Sequence, residues 1–257
     1  MGDNAAQQNK KRKSKWETSY SAMSIRDAEK RLGIRINKLK ATPIDTMLAK
    51  PNSLGGADVN KETMDAIKVK VYERILQYLA IEGYPTEADP DFNEANVSDL
   101  VFSTIGPVLY FVQKMRCDIR LTREKEITSV NNETGGVEEF VVVDQIAVSE
   151  EKFVLVIEAK RTSIGQAIKQ LLLSLKDLWD NNGGGVVYGF VTTGQHWQMF
   201  SCDGASFQMT REITLVFNGM DEDKETWMKE GSVLVDFMLV ALSNGGIVKE
   251  DVVVVAV

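Results

Sequence analysis

Val141-Val142-Val143-Asp144-Gln145-Ile146-Ala147 and Phe153-Val154-Leu155-Val156-Ile157-Glu158-Ala159-Lys160 are two apolar, β-branched runs, each with an acidic residue near its end. Runs of this length and composition read as strands. Strand side chains alternate between faces, so Glu158 and Lys160 share one side while Leu155, Ile157 and Ala159 share the other. If the two strands pair, Asp144 is expected beside Glu158, giving two carboxylates and an ammonium at one sheet end.

Working outward, residues 118–127, 139–148 and 152–160 form three strands. Asn131-Asn132 with Gly135-Gly136, and then Ser149-Glu150-Glu151, separate them, and short polar connections of this kind predict a meander. Residues 163–179 are helical, with Ile164, Ile168, Leu171, Leu172, Leu175 and Trp179 on one face and a stop at Asn181-Asn182-Gly183. Further strands are expected at 186–192, 197–202 and 207–217, and a last long helix at 224–242. Upstream, residues 97–115 carry a helical pattern that Gly106-Pro107 should kink. A longer helix starts at Lys61, with Ile67, Val71, Ile75 and Tyr78 or Leu79 on one stripe. Ser24 and Gly33 bracket a short helix as N-cap and stop. The order is helix, three strands, helix, strands, which is an α/β protein with a mixed sheet.

At 257 residues, with 44% hydrophobic and 26% charged side chains, the chain has the balance of a folded globular protein. The apolar stretch 233–242 contains Asp236 and is about half the ~20 residues that cross a bilayer, so no membrane association is expected. Cys117 and Cys202 are too few for a disulfide framework, and a reducing compartment is the default. The single histidine, His196, leaves little for a His-based metal site or a Ser-His-Asp relay. Gly183-Gly184-Gly185 follows a helix instead of opening one, which makes it a C-cap and loop, not a phosphate cradle.

Charge is uneven. Residues 1–40 hold 11 Lys and Arg against 4 Asp and Glu, leaving 19 against 33 for the rest, and the whole carries −7. Residues 1–20 read as a disordered basic arm, 21–60 as a helical and linking segment, and 61–257 as the main domain. Lys10-Lys11-Arg12-Lys13-Ser14-Lys15 has the composition bound by nuclear import receptors or by nucleic-acid phosphates. A nuclear location in a eukaryotic cell, otherwise a cytoplasmic one, is therefore expected.

The acidic pair with a lysine has a chemical logic. Adjacent carboxylates repel unless a cation sits between them, and Mg²⁺ or Mn²⁺ held by one or two carboxylates keeps waters free for a phosphate substrate. Such an ion polarises a phosphodiester and acidifies a bound water. Lys160 is suited to hold or deprotonate that water and to stabilise transition-state charge.

On these residues the chain resembles the PD-(D/E)XK nuclease superfamily, the restriction-endonuclease-like fold. Its pattern is an acidic residue at a strand end, then Glu or Asp, any residue and Lys in the next strand. Asp144, Glu158 and Lys160 match, the two acids spaced 14 positions apart, although Val143 stands where the motif name has Pro. The resemblance covers about residues 91–203. It implies a central mixed sheet flanked by helices, a helical N-terminal extension, and Mg²⁺- or Mn²⁺-dependent cleavage of nucleic acid, DNA by preference. By resemblance, Gln170 on the following helix joins the site, with Gln166 the alternative, and Glu94 of the first core helix is a third metal ligand beside Asp144 and Glu158. Nucleases of this fold often pair subunits, so a homodimer is among the expectations. Residues 158–204, with Leu178-Trp179-Asp180-Asn181-Asn182 and Tyr188-Gly189-Phe190-Val191-Thr192-Thr193-Gly194, are also similar to nuclease-like domains of fungal proteins, including Crinkler-type effectors.

A strand ending Glu-x-Lys is often only a solvated edge, and the acidic body disfavours a simple phosphate clamp. The alternative is thus a catalytically inactive nuclease fold acting as a nuclear DNA- or protein-binding effector. Lys114, Arg116, Arg120, Arg123, Lys125, Lys160, Arg161 and Lys169 cluster in sequence around the motif and are the candidates for a local basic approach.

Overall fold

A computed structural model describes residues 15–49, 53–54, 57–83, 91–147, 150–162 and 164–247. In chain order the elements are β1 (Thr18–Ser19), α1 (Ile25–Leu32), α2 (Ile44–Leu48), β2 (Ser53–Leu54), β3 (Ala57–Asp58), α3 (Lys61–Glu82), α4 (Glu94–Met115), β4 (Ile119–Thr128), β5 (Thr134–Ala147), β6 (Glu150–Ala159), α5 (Ile164–Asn182), β7 (Val187–Thr192), β8 (His196–Cys202), β9 (Phe207–Met209), β10 (Ile213–Thr214), α6 (Lys224–Thr226) and α7 (Val233–Asn244). The molecule is α/β, with one open, mixed, eight-stranded sheet among the described residues.

Strands β4, β5 and β6 form the antiparallel meander that their short connections require. β6 then runs parallel to β7 through the helical crossover α5, and β8 returns antiparallel. β6 is therefore covered on both faces and reads as a nearly continuous apolar run. Alternation along β5 sends Phe140 and Val142 into a core with α3, α4 and α7, while Val141 and Val143 meet α5 and α1 on the opposite face. Helices thus lie on both sides of the sheet.

The caps fall where side-chain chemistry puts them. Ser24 accepts from the Asp27 amide and Gly33 takes the left-handed conformation (φ 69°), bounding α1. Asn60 accepts from the Thr63 amide at the head of α3. At the head of α4, Asn93 accepts from the Ala95 amide while its own N–H donates to the Asn96 side chain, which fixes Glu94 as the first helical residue. Pro107 sits inside α4 without ending it. By length and composition α4 could cross a membrane, but half of its apolar window is buried within the fold.

Three expectations need correction. Residues 15–20 are not part of a loose arm: β1 pairs in parallel with Thr134–Gly135 of β5, and Tyr20 is buried. The expected helix of the 21–60 segment is present as α1, with Ala28 and Leu32 in a core, but residues 41–49 are more than a connection, because α2 forms there and buries Met47. The stretch 207–217 breaks into two short strands on one flank of β8, and the last helix opens with α6 and a π-helical turn, Trp227–Gly231, before α7. Residues 10–14 of the basic run lie outside the described residues. Its last member, Lys15, pairs with Glu126 at 2.6 Å.

Candidate active site

β5 is flanked on one side by β4. On its other side Thr134–Gly135 pair with β1, and pairing with β6 begins at Phe140. β1 runs up this flank and β6 runs down it, so their C-terminal ends converge beside residues 136–139 of β5. Chains must diverge at such a point, and the resulting crevice at strand ends is where open α/β sheets place ligands. Glu138, Glu139, Glu158 and Lys160 collect there.

Glu158 is 1% exposed in β6. A carboxylate so placed needs partners, and three elements supply them. Gln170 Nε2 of α5 donates to Glu158 Oε1 at 2.7 Å. Lys160 Nζ lies 3.2 Å from the same oxygen and 2.9 Å from Glu94 Oε1, the carboxylate at the head of α4. The Lys160 backbone N–H donates to Thr192 O at the end of β7 (2.9 Å), which fixes the chain direction just past β6.

The electrostatics follow from burial. Glu138 is 1% exposed, and its carboxyl is driven well above the usual range by desolvation and then by the neighbouring Glu158. The shift favours the protonated form of Glu138. Burial also raises Glu158, opposed chiefly by Lys160. Glu139, half-buried, is pushed up to about 7 by desolvation, with Lys160 pulling it down and Glu158 and Glu94 pushing it up. Lys160 loses solvation too, yet Glu158 and Glu94 together hold it well above the ordinary lysine value. It is an ammonium, not a base.

Of the residues expected from the sequence, Glu94, Glu158, Lys160 and Gln170 meet. Gln166, one turn earlier on α5, is exposed and stands apart. Asp144 does not join them. It pairs in register with Lys152, near the β5–β6 turn, and its carboxylate contacts Arg116. An antiparallel hairpin pairs residues equidistant from its turn: Phe140 faces Ile157 and Val141 faces Val156, so the level of Glu158 is that of Glu139. Asp144 is five residues further along, about 17 Å at ~3.4 Å per residue. A turn centred on Glu150, as the sequence suggests, would instead reflect Glu158 onto Val142, so Glu139 is reached only through the observed register.

Of the basic cluster, Lys160 lies in the site and several others are held by partners. Lys169 is buried and donates to the carbonyls of Ser21 and Met23. Arg116 is taken by Asp144, and Lys125 lies 2.5 Å from Glu151. Arg123 lies 3.6 Å from Asp99. His196 is a partly exposed strand-start residue, its Nδ1 3.0 Å from Glu212 Oε1, and Cys117 and Cys202 are free thiols.

Among the described residues no three His, Cys, Asp or Glu side chains form a ready metal-holding group. The donor chemistry nevertheless fits a hard divalent cation. Glu94 and Glu158 already share one cationic partner, and Glu139 Oε2 is buried without a hydrogen-bond partner. Comparison with models of known protein families finds none that matches this chain, and comparison with curated proteins finds no significant match.

Proposed function

We propose that this chain is a metal-dependent nuclease that hydrolyses phosphodiester bonds, with DNA the first substrate to test, on a restriction-endonuclease-like fold. The observation that carries the reading is the convergence of Glu94 from α4, Glu158 and Lys160 from the end of β6, and Gln170 from α5. The strand order β4-β5-β6-β7-β8, preceded by α4 and crossed by α5, supports the fold.

Glu94 and Glu158 would hold a Mg²⁺ or Mn²⁺ ion, which supplies Lewis acidity toward the phosphate and acidifies a bound water. The remaining chemistry belongs to the side chains. Gln170 fixes the Glu158 carboxylate by donating to one of its oxygens. Lys160, held as an ammonium, neutralises negative charge that grows on the phosphoryl oxygens. Glu139, with a carboxyl pushed up to about 7, is matched to accept a proton from an attacking water near neutral pH. Glu138, whose burial beside Glu158 favours its protonated form, limits the negative charge packed around Glu158.

Incubation of plasmid, linear DNA and RNA with Mg²⁺ or Mn²⁺ tests the reading. Cleavage should appear and be lost in Glu158→Gln and Lys160→Ala; no cleavage in either metal, or cleavage untouched by both changes, overturns it.

A second reading has its own observation. Lys160 already occupies the position between Glu94 and Glu158, and no ready metal group accompanies it, as in a catalytically silent nuclease fold that binds DNA or protein as a nuclear effector. Salt-dependent DNA binding with no Mn²⁺ uptake would favour it. The nuclear location rests on Lys10 to Lys15 and an import receptor. Replacing Lys10, Lys11, Arg12 and Lys13 with Ala should abolish nuclear enrichment of a fluorescent fusion.

A further inference from the structure

We propose that the groove between α3 and α4 is a docking site for an acidic amphipathic helix of a protein partner, separate from the strand-end site. Its floor is apolar: Ile67 on α3 and Pro107, Tyr110 and Phe111 on α4 line a volume of about 610 Å³, and Tyr110 is 60% exposed. Its rim is cationic. Lys70, Arg74 and Lys114 line it against the single anion Glu73, on a chain whose net charge is −7.

None of the three cations forms a salt bridge among the described residues. Arg74 donates to Gln77, and Lys114 lies 4.5 Å from the Tyr110 ring centre. On a chain whose residues 41–257 carry 33 acids against 19 bases, three cations that form no ion pair among the described residues, beside an exposed aromatic floor, are complementary to an anionic, partly apolar occupant.

Length selects the helix. The α3 side of the groove runs from Thr63 to Gln77, about 21 Å at 1.5 Å per residue, which matches four turns of a partner. On α4 the lining residues 107, 110, 111 and 114 have the i, i+3, i+4, i+7 spacing of a helix-packing face. An amphipathic partner would lay apolar anchors at that same spacing along the floor, with Glu and Asp toward the rim. Pro107 is 13 residues beyond Glu94, about 20 Å along α4, so occupancy leaves the carboxylate cluster free.

The test is selection of a displayed library of 16-residue helix-biased peptides on the full-length protein, followed by affinity measurement. Enriched peptides should combine periodic apolar residues with excess Glu and Asp. They should bind at least about tenfold more weakly to K70E/R74E/K114E and to Tyr110→Ala, and more weakly as salt rises. Unchanged melting temperatures would show that these exposed changes leave the fold intact. Enrichment of neutral or basic peptides, or binding untouched by both variants, overturns the proposal. So does wild-type binding to phosphatidylserine vesicles or single-stranded DNA that the triple reversal abolishes while peptide binding persists. None of these outcomes depends on nuclease activity.

Discussion

Lys160 Nζ stands 2.9 Å from Glu94 Oε1, joining the end of β6 to the head of α4 across 66 residues of chain. With Glu158 on its other side, one ammonium bridges two carboxylates. A divalent ion entering between them must compete with it. Lys160→Ala should therefore keep or strengthen Mn²⁺ binding in calorimetry while cleavage falls by about 10²-fold or more, the scale of lost transition-state charge stabilisation. Glu94→Gln should weaken Mn²⁺ binding instead. Equal loss of metal binding in both variants would defeat this division of roles.

Glu139 gives the protein a pH-dependent stability. Its folded-state carboxyl is raised from 4.5 to about 7, so the folded state holds a proton that the unfolded chain has released. The associated stability is fully present below about pH 4.5 and is lost as pH rises through 7. Glu138 and Glu158 are raised in the same direction. Without metal, the melting temperature should fall between pH 5 and 8. Glu139→Gln, which needs no proton to be neutral, should flatten part of that fall, and a slope identical to wild type would show that Glu139 is not the group responsible. Added Mn²⁺ should stabilise the wild type more at pH 8 than at pH 6, because ions and protons compete for the same carboxylates.

The hairpin register separates Asp144 from Glu139 experimentally. Asp144 contacts Arg116, which also donates to Leu242 O and so ties the end of α4 to β5 and α7. Asp144→Ala should cost about 1–3 kcal/mol of stability, the scale for a hydrogen bond to a charged group, yet leave metal-dependent cleavage intact once folded protein is compared. Glu139→Gln should do the opposite. Loss of activity in a fully folded Asp144→Ala protein would contradict the observed register.

What was legible in the sequence follows from what each signal measures. Periodicity and caps located α1, α3, α4, β4, β6, α5 and the second half of β5 because Ser24 and the alternation in 140–143 act locally, but β5 begins at Thr134, so Gly135-Gly136 belong to the strand and do not separate it from β4. Glu158 and Lys160 were legible because an acid and a lysine two positions apart at the end of an apolar strand are locally anomalous, whereas Gln170 was reached only through the resemblance. The third carboxylate was missed because Asp144 is an equally local anomaly, whereas Glu138-Glu139 is displayed only through pairing across a turn. The docking of residues 15–49 was missed for a related reason. Tyr20 meets Gly136 and Asp177, 116 and 157 positions away, and a short strand such as Thr18–Ser19 has no periodicity of its own.

That docking is held by one buried group, and it yields a last prediction. Asp177, 0% exposed on α5, accepts from Tyr20 Oη at 2.9 Å, Thr134 Oγ1 at 2.7 Å and Arg31 Nη2 at 2.8 Å. It thus fastens the N-terminal segment, α1 and β5 to the helix that carries Gln170. Asp177→Ala leaves the Tyr20 and Thr134 hydroxyls without this acceptor and Arg31 with only the exposed Glu133, a loss of about 3 kcal/mol, the scale for breaking a buried charged pair. Gly136→Ala attacks the same contact from the other side, since a Cβ there would stand 2.4 Å from the Tyr20 ring, and the anchored ring has little room to yield. Both variants should melt earlier and expose residues 15–49 to limited proteolysis, with first cuts near Arg26 to Lys40, before the sheet unfolds. Cuts that instead begin in the β4–β5 region would show that the N-terminal segment is not the part that Asp177 secures.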